Sequence, residues 1–224
     1  MKITKYLYLY LVVIIFPMFS LFISGCGETN DLKAMEKRSI KAVHKAWSFT
    51  KKEQLSSRLE NLPLFSKTLF FWVRNNGITP PTIYIVAIDK KTKNADYVFY
   101  PHSTQSLEMD IENFSKIVAK ESLIIDQSNF MNYIHSFLYL INKQSDLIDS
   151  IDDIKFLSDS KMSEIKKDFP NIGSLKYNSK GANIYTEFYS YSVFYLLKWN
   201  LIVSQNGEVI SYKFKEFKTG AIIL

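Results

Sequence analysis

Taken by the alternation of apolar and polar positions, the chain falls into three stretches. The first is an almost unbroken apolar run from Tyr6 to Ile23, preceded by Lys2 and Lys5. A long middle stretch carries mostly helical periodicity. In residues 32–49, Leu32, Met35, Ile40, Val43 and Trp47 fall near one face and Lys33, Glu36, Lys37, Lys41 and Lys45 near the other, which predicts an amphipathic helix. Thr50-Lys51-Lys52-Glu53 fits a capping box and predicts a second helix stopping before Pro63. Residues 64–74 are strongly apolar; Gly77 stands where a C-cap would, which favours a helix, with a buried strand as the alternative. After Pro80-Pro81, the β-branched and aromatic run Thr82–Asp89 reads as a strand, and Tyr97–Tyr100 as its antiparallel partner.

Helical spacing returns over 108–120, over 129–143 (capped by Asp126 or Ser128), over 146–157 and over about 160–168. Residues 171–182 read as a polar loop. The third stretch is β. Asn206-Gly207 signals a two-residue type I′ turn, which pairs Val203 with Ile210, Leu201 with Tyr212 and Trp199 with Phe214 on one face. Lys198, Asn200, Ser204, Ser211, Lys213 and Lys215 then share the other face, and a one-residue slip would invert both. Ile184–Tyr191 supplies a further strand. The expected fold is a single α+β domain: an antiparallel sheet of about five strands with helices packed on one face.

The apolar run ends in Ile23-Ser24-Gly25-Cys26. Two lysines, an apolar core and small residues before a cysteine resemble the signal of bacterial lipoproteins, whose lipobox has this form. The resemblance covers residues 1–26 alone, and no family resemblance extends into the rest of the chain. It implies a signal peptide over 1–25 that is cleaved, a diacylglycerol on the Cys26 thiol and acylation (palmitate, for example) of the new amino terminus. Residues 26–31 become a lipidated cysteine with a short tether, and 32–224 the globular domain. By the same resemblance, Gly27 permits outer-membrane placement facing the periplasm in a cell with two membranes. An uncleaved transmembrane helix is the rival, since about 20 apolar residues span a bilayer.

Removal of residues 1–25 leaves 199 residues with 26 basic and 22 acidic side chains, a net charge of +4. Only Arg38, Arg58 and Arg74 are arginines, which argues against a nucleic-acid reader. Cys26 is the only cysteine, so no disulfide can form within the chain and packing must hold the fold.

Candidate chemistry is sparse. No histidine pair has zinc-motif spacing, and no nucleophile elbow is present. His44 and His135 read as helix-flank residues, whereas His102, after Pro101 at a strand end, is a weak site candidate. Asp146, Asp149, Asp152 and Asp153 lie opposite an apolar stripe and read as a solvated face. Lys198, Lys213 and Lys215 form a basic sheet face suited to an acidic partner or anionic headgroups, or serving to blunt a sheet. No cofactor or metal is expected. The expected activity is a membrane-attached envelope lipoprotein that binds another macromolecule, as an immunity or inhibitor protein or a complex subunit. An envelope hydrolase lacking a recognisable motif and a carrier of small ligands or lipids are the alternatives.

Overall fold

The computed structural model describes residues 31–47, 50–78, 81–100, 107–141, 145–154, 157–192 and 195–219. Helix α1 spans 31–46. It is followed by β1 (Leu55–Glu60), β2 (Thr68–Asn75), β3 (Thr82–Asp89) and β4 (Ala95–Phe99), antiparallel neighbours in chain order. Helices α2 (Leu107–Glu121) and α3 (Phe130–Ile141) come next, then β5 (Asp146–Ile148) and α4 (Asp159–Asp168). The second sheet contains β6 (Lys176–Lys180), β7 (Asn183–Tyr191), β8 (Tyr195–Ser204) and β9 (Val209–Lys218), with β5 and β6 both pairing to β7. The fold is α+β and antiparallel throughout, as expected, with the strands divided between two sheets of four and five.

Shared cores give the layer order. One face of the first sheet (Phe71, Val73, Tyr84, Val86, Ile88) packs on Met35 and Val43 of α1. Its other face (Phe70, Ile85, Ala87, Phe99) joins α2, α3 and the inner face of the second sheet in one core. The outer face of the second sheet receives α4 through Ile165 and Phe169, against Tyr189 and Leu196. The order is therefore α1, first sheet, α2 with α3, second sheet, α4. Aromatic rings bridge the middle: Phe65 lies edge-on to Phe70 (5.0 Å) and Phe114 (6.4 Å), Phe114 to Phe137 (5.4 Å), and Phe137 to Trp199 (5.6 Å).

Several elements differ from expectation. Thr50 turns its hydroxyl back onto the Trp47 carbonyl, and only a 3-10 turn, Lys52–Gln54, precedes strand β1. Residues 64–74 contribute a strand because both faces of the first sheet are covered, so apolar residues are needed at consecutive positions. Gly77 belongs to the β2–β3 turn, where its N–H donates to Asn75 Oδ1. The expected helix 146–157 is instead β5 and a 3-10 turn, Ile151–Asp153, closed by a capping box between Ser150 and Asp153. Part of the polar segment 171–182 is the edge strand β6.

The β8–β9 register holds as expected from Tyr195↔Lys218 to Ile202↔Ser211. At the turn it shifts to Val203↔Val209, because the loop has three residues and Gly207 takes φ +79°. This turn is wedged into the α2–α3 corner. Tyr133 Oη donates to the Gly207 carbonyl at 2.9 Å, and the Ile125 N–H to Gln205 O at 2.7 Å. A Cβ on Gly207 would lie 2.3 Å from Val118 Cγ1.

Gly207→Ala meets both left-handed backbone strain and overpacking, and should destabilise by about 2–5 kcal/mol. Tyr133→Phe strands a buried carbonyl and should cost about 1–3 kcal/mol. Urea unfolding measures both; a Gly207→Ala loss below that of Tyr133→Phe would contradict the wedged turn.

Candidate functional site

On the outer face of the second sheet, residues are arranged in rows set by strand register. Lys176, Glu187, Asn200 and Lys213 form one row across β6 to β9; Tyr189, Lys198 and Lys215 form the next. Asn178, Tyr185, Ile202 and Ser211 form a third. Helix α4 covers only the end of this face near Tyr191, Leu196 and Phe217. The remainder is open, and Tyr185 is 40% exposed.

The three expected lysines do come together here, but in different states. Lys198 Nζ lies 2.8 Å from Glu187 Oε2, and Lys176 Nζ 2.8 Å from Glu187 Oε1. Lys215 donates to the Asp168 carbonyl at 3.3 Å, with its ammonium 4.7 Å from the Phe169 ring centre. Lys213 is exposed on the edge strand. Glu187 was not expected. Partial burial works to raise its pKa, but hydrogen bonds from Lys176 and Lys198 outweigh this and hold the carboxyl low. The Lys198 pKa is raised, first by its hydrogen bond to Glu187. Five lysines on this face (with Lys176 and Lys180) oppose Glu187, so the field remains positive.

A concavity of about 460 Å³ lies between α3, the β1–β2 loop and β5. His135, Ser136, Tyr139, Ser145 and Asp146 line it together with Leu62 and Leu147. The Ser145 hydroxyl is buried with no hydrogen-bond partner among the described residues. Tyr139 meets Glu60 and Trp72, and burial is the main cause of its raised pKa, which keeps the phenol neutral. Glu60 in turn pairs with Arg58 at 2.8 Å, and Arg58 stacks 3.9 Å from the Trp72 ring centre. In the sequence the polar lining residues show only as the adjacent pairs His135-Ser136 and Ser145-Asp146, ten residues apart, with nothing to mark their convergence.

Cys26 and His102 lie outside the described residues. His44 Nδ1 sits 2.7 Å from the Thr50 carbonyl, which closes the end of α1. Asp153 Oδ2 accepts the Asp149 and Ser150 N–H groups, so that carboxylate serves the turn. Among the described residues, no cluster of three or more His, Cys, Asp or Glu could hold a metal ion. No described helix is long and apolar enough to cross a membrane. No family model, curated protein or solved structure matches the chain.

The Glu187 pairs set a pH dependence. Because its folded pKa is depressed, its contribution is present above the unfolded glutamate value and is lost as pH falls through the lower, folded value. Wild type should therefore melt above Glu187→Gln near pH 7, and the gap should close below about pH 4. Calorimetry across that range tests it; a gap that persists into acid contradicts the ion-pair account.

Proposed function

We propose that this chain is a lipid-anchored cell-envelope protein that binds an acidic macromolecule through the open lysine and tyrosine face of the second sheet. The observation that carries this is the face itself: helix α4 leaves it open, and five lysines surround Glu187 on it. A basic sheet surface bearing exposed tyrosine suits protein recognition, since aromatic side chains supply rigid contact area and charge steers the encounter. The scarcity of arginine keeps the partner a protein rather than a nucleic acid. Immunity or inhibitor action and membership of an envelope assembly are the two forms this takes, with the anchor at Cys26 and, in a cell with two membranes, the outer membrane as the location.

A second reading has its own support. The 460 Å³ cleft beside His135 is within the range of small-ligand sites, with a mainly apolar wall and the unpartnered Ser145 hydroxyl. It suits a carrier or a hydrolase. Native mass spectrometry of the purified domain would show a retained small molecule, and Ser145→Ala would weaken its retention.

For the leading reading, Lys213→Glu combined with Lys215→Glu should cut capture of the partner from solubilised envelopes by tenfold or more, about 1.4 kcal/mol. Wild-type capture should also fall steeply with salt. Equal capture by the double variant and wild type sinks this face as the site. Cys26→Ala should block incorporation of labelled fatty acid, and processing at Gly25 in that variant would count against both the lipobox and the helix anchor.

A further inference from the structure

One end of the molecule gathers the corners of nearly every layer. The amino end of α1 is there, because Asp31 pairs with Lys93 of the β3–β4 turn. The carboxyl end of α2 is tied to the same place. Lys120 pairs with Asp89 and Asp96, and Glu121, itself buried, accepts the Ser66 and Lys67 N–H groups at 2.9 and 2.8 Å. Lys67 Nζ reaches the Ser122 hydroxyl at 3.3 Å. The β8–β9 turn joins through Ile125, and the β6–β7 turn through the Gln205 N–H on Ala182 O.

From this end projects Ile124. Ser122, at φ +57°, turns the chain out of α2, Ile125 is buried on the β8–β9 turn, and Ile124 between them is 71% exposed. It is the most exposed large apolar side chain among the described residues. Asn129 Nδ2 holds its carbonyl at 2.8 Å, and three Asp126 contacts, from the Ser128 N–H, the Ser128 hydroxyl and the Asn129 N–H, brace the loop. Exposed Lys67 reaches the same segment, its Nζ on the Lys120 carbonyl at 2.9 Å; Lys90, whose Nζ donates to the Ser66 carbonyl at 2.6 Å, is joined to it by the Lys90 N–H on Lys67 O, and exposed Lys91 follows in the β3–β4 turn.

A lone exposed isoleucine is ordinary on a protein surface. Its position relative to Cys26 is what distinguishes this one. Only five residue steps separate Cys26 from Asp31, a reach of about 17 Å at most. A lipid on Cys26 therefore keeps this end at the bilayer surface, where a raised effective concentration makes weak contacts count.

We infer that this end is a membrane-docking face, with Ile124 entering the headgroup–acyl boundary and Lys67, Lys90 and Lys91 meeting anionic headgroups. The inference rests on lipidation of Cys26. It stands the layers on end, so the lysine and tyrosine face of the second sheet looks sideways along the membrane and not into it.

The test uses the full lipidated chain in vesicles of phosphatidylethanolamine with a minority of phosphatidylglycerol. Because Cys26 is the only native cysteine and its thiol carries the lipid, Ile124→Cys and Glu53→Cys each present one thiol for an environment-sensitive dye. Glu53 is exposed beside the start of β1, at the opposite end. The dye at 124 should shift to the blue on reconstitution and be quenched several-fold more by brominated lipid than the dye at 53. Floating protein with water-like emission at 124, or equal quenching at both positions, overturns the docking face alone. Protein that fails to float and carries no lipid mass on Cys26 overturns the anchor, and the docking face with it.

Discussion

Helix α3 is buried on almost every side because a sheet lies against the α2–α3 pair on each flank. Phe130, Tyr133, Ile134, Phe137, Leu138, Leu140 and Ile141 are all buried over its twelve residues. A helix this apolar around its circumference is stable only when enclosed. The aromatic contacts from Phe70 through Phe114 and Phe137 to Trp199 make the two sheets parts of one core. Each sheet then has an outer face left over, and the chain covers these unequally. Helix α1 lies over the first, whereas the short α4, with Ile165 as its one buried residue, covers only an end of the second. The open lysine face follows from that asymmetry.

The parts of the fold legible in the sequence are those whose period is enforced by one buried side. Helices α2 and α4 and most of the β8–β9 pairing read correctly because apolar residues recur at the element's own spacing, whereas strand β3, buried on both faces, reads correctly from its β-branched and aromatic content. Strand β2 did not, since Phe70 and Trp72 face one core and Phe71 and Val73 another, leaving no alternation to read. Strands β1 and β6 (LSSRLE and KYNSK) are edge strands with little apolar content. Their structure comes from the neighbour they pair with, a non-local effect. The helix expected over 146–157 failed for a related reason. Ile148, Ile151 and Ile154 do share one core, but a strand and a 3-10 turn bring them there.

The candidate face was partly legible. Parity along β8 and β9 placed Lys198, Lys213 and Lys215 together, and the structure keeps them so. Glu187 and Lys176 join by pairing across β6, β7 and β8, which local pattern does not reveal. The effect is chemical as well as geometric, because Glu187 engages Lys176 and Lys198, while Lys180 and Lys213 stay exposed outside those pairs. The cleft beside His135 was illegible, its walls coming from three separated segments.

The order of the strands has a consequence for how such a chain acquires its structure. Every pairing in the first sheet joins sequence neighbours, and that sheet is complete by Phe99. A chain emerging amino end first, from a ribosome or a translocation channel, can thus zip four strands by successive hairpin closures before either central helix is available. Local closures of this kind are kinetically easy. Phe70, Ile85 and Phe99 would then wait, wetted on one side, until α2 and α3 arrive. Helix α3 must wait in turn for β7 and β8, so the nascent core stays open, and the chain adhesive, from Phe99 until Val203 has emerged.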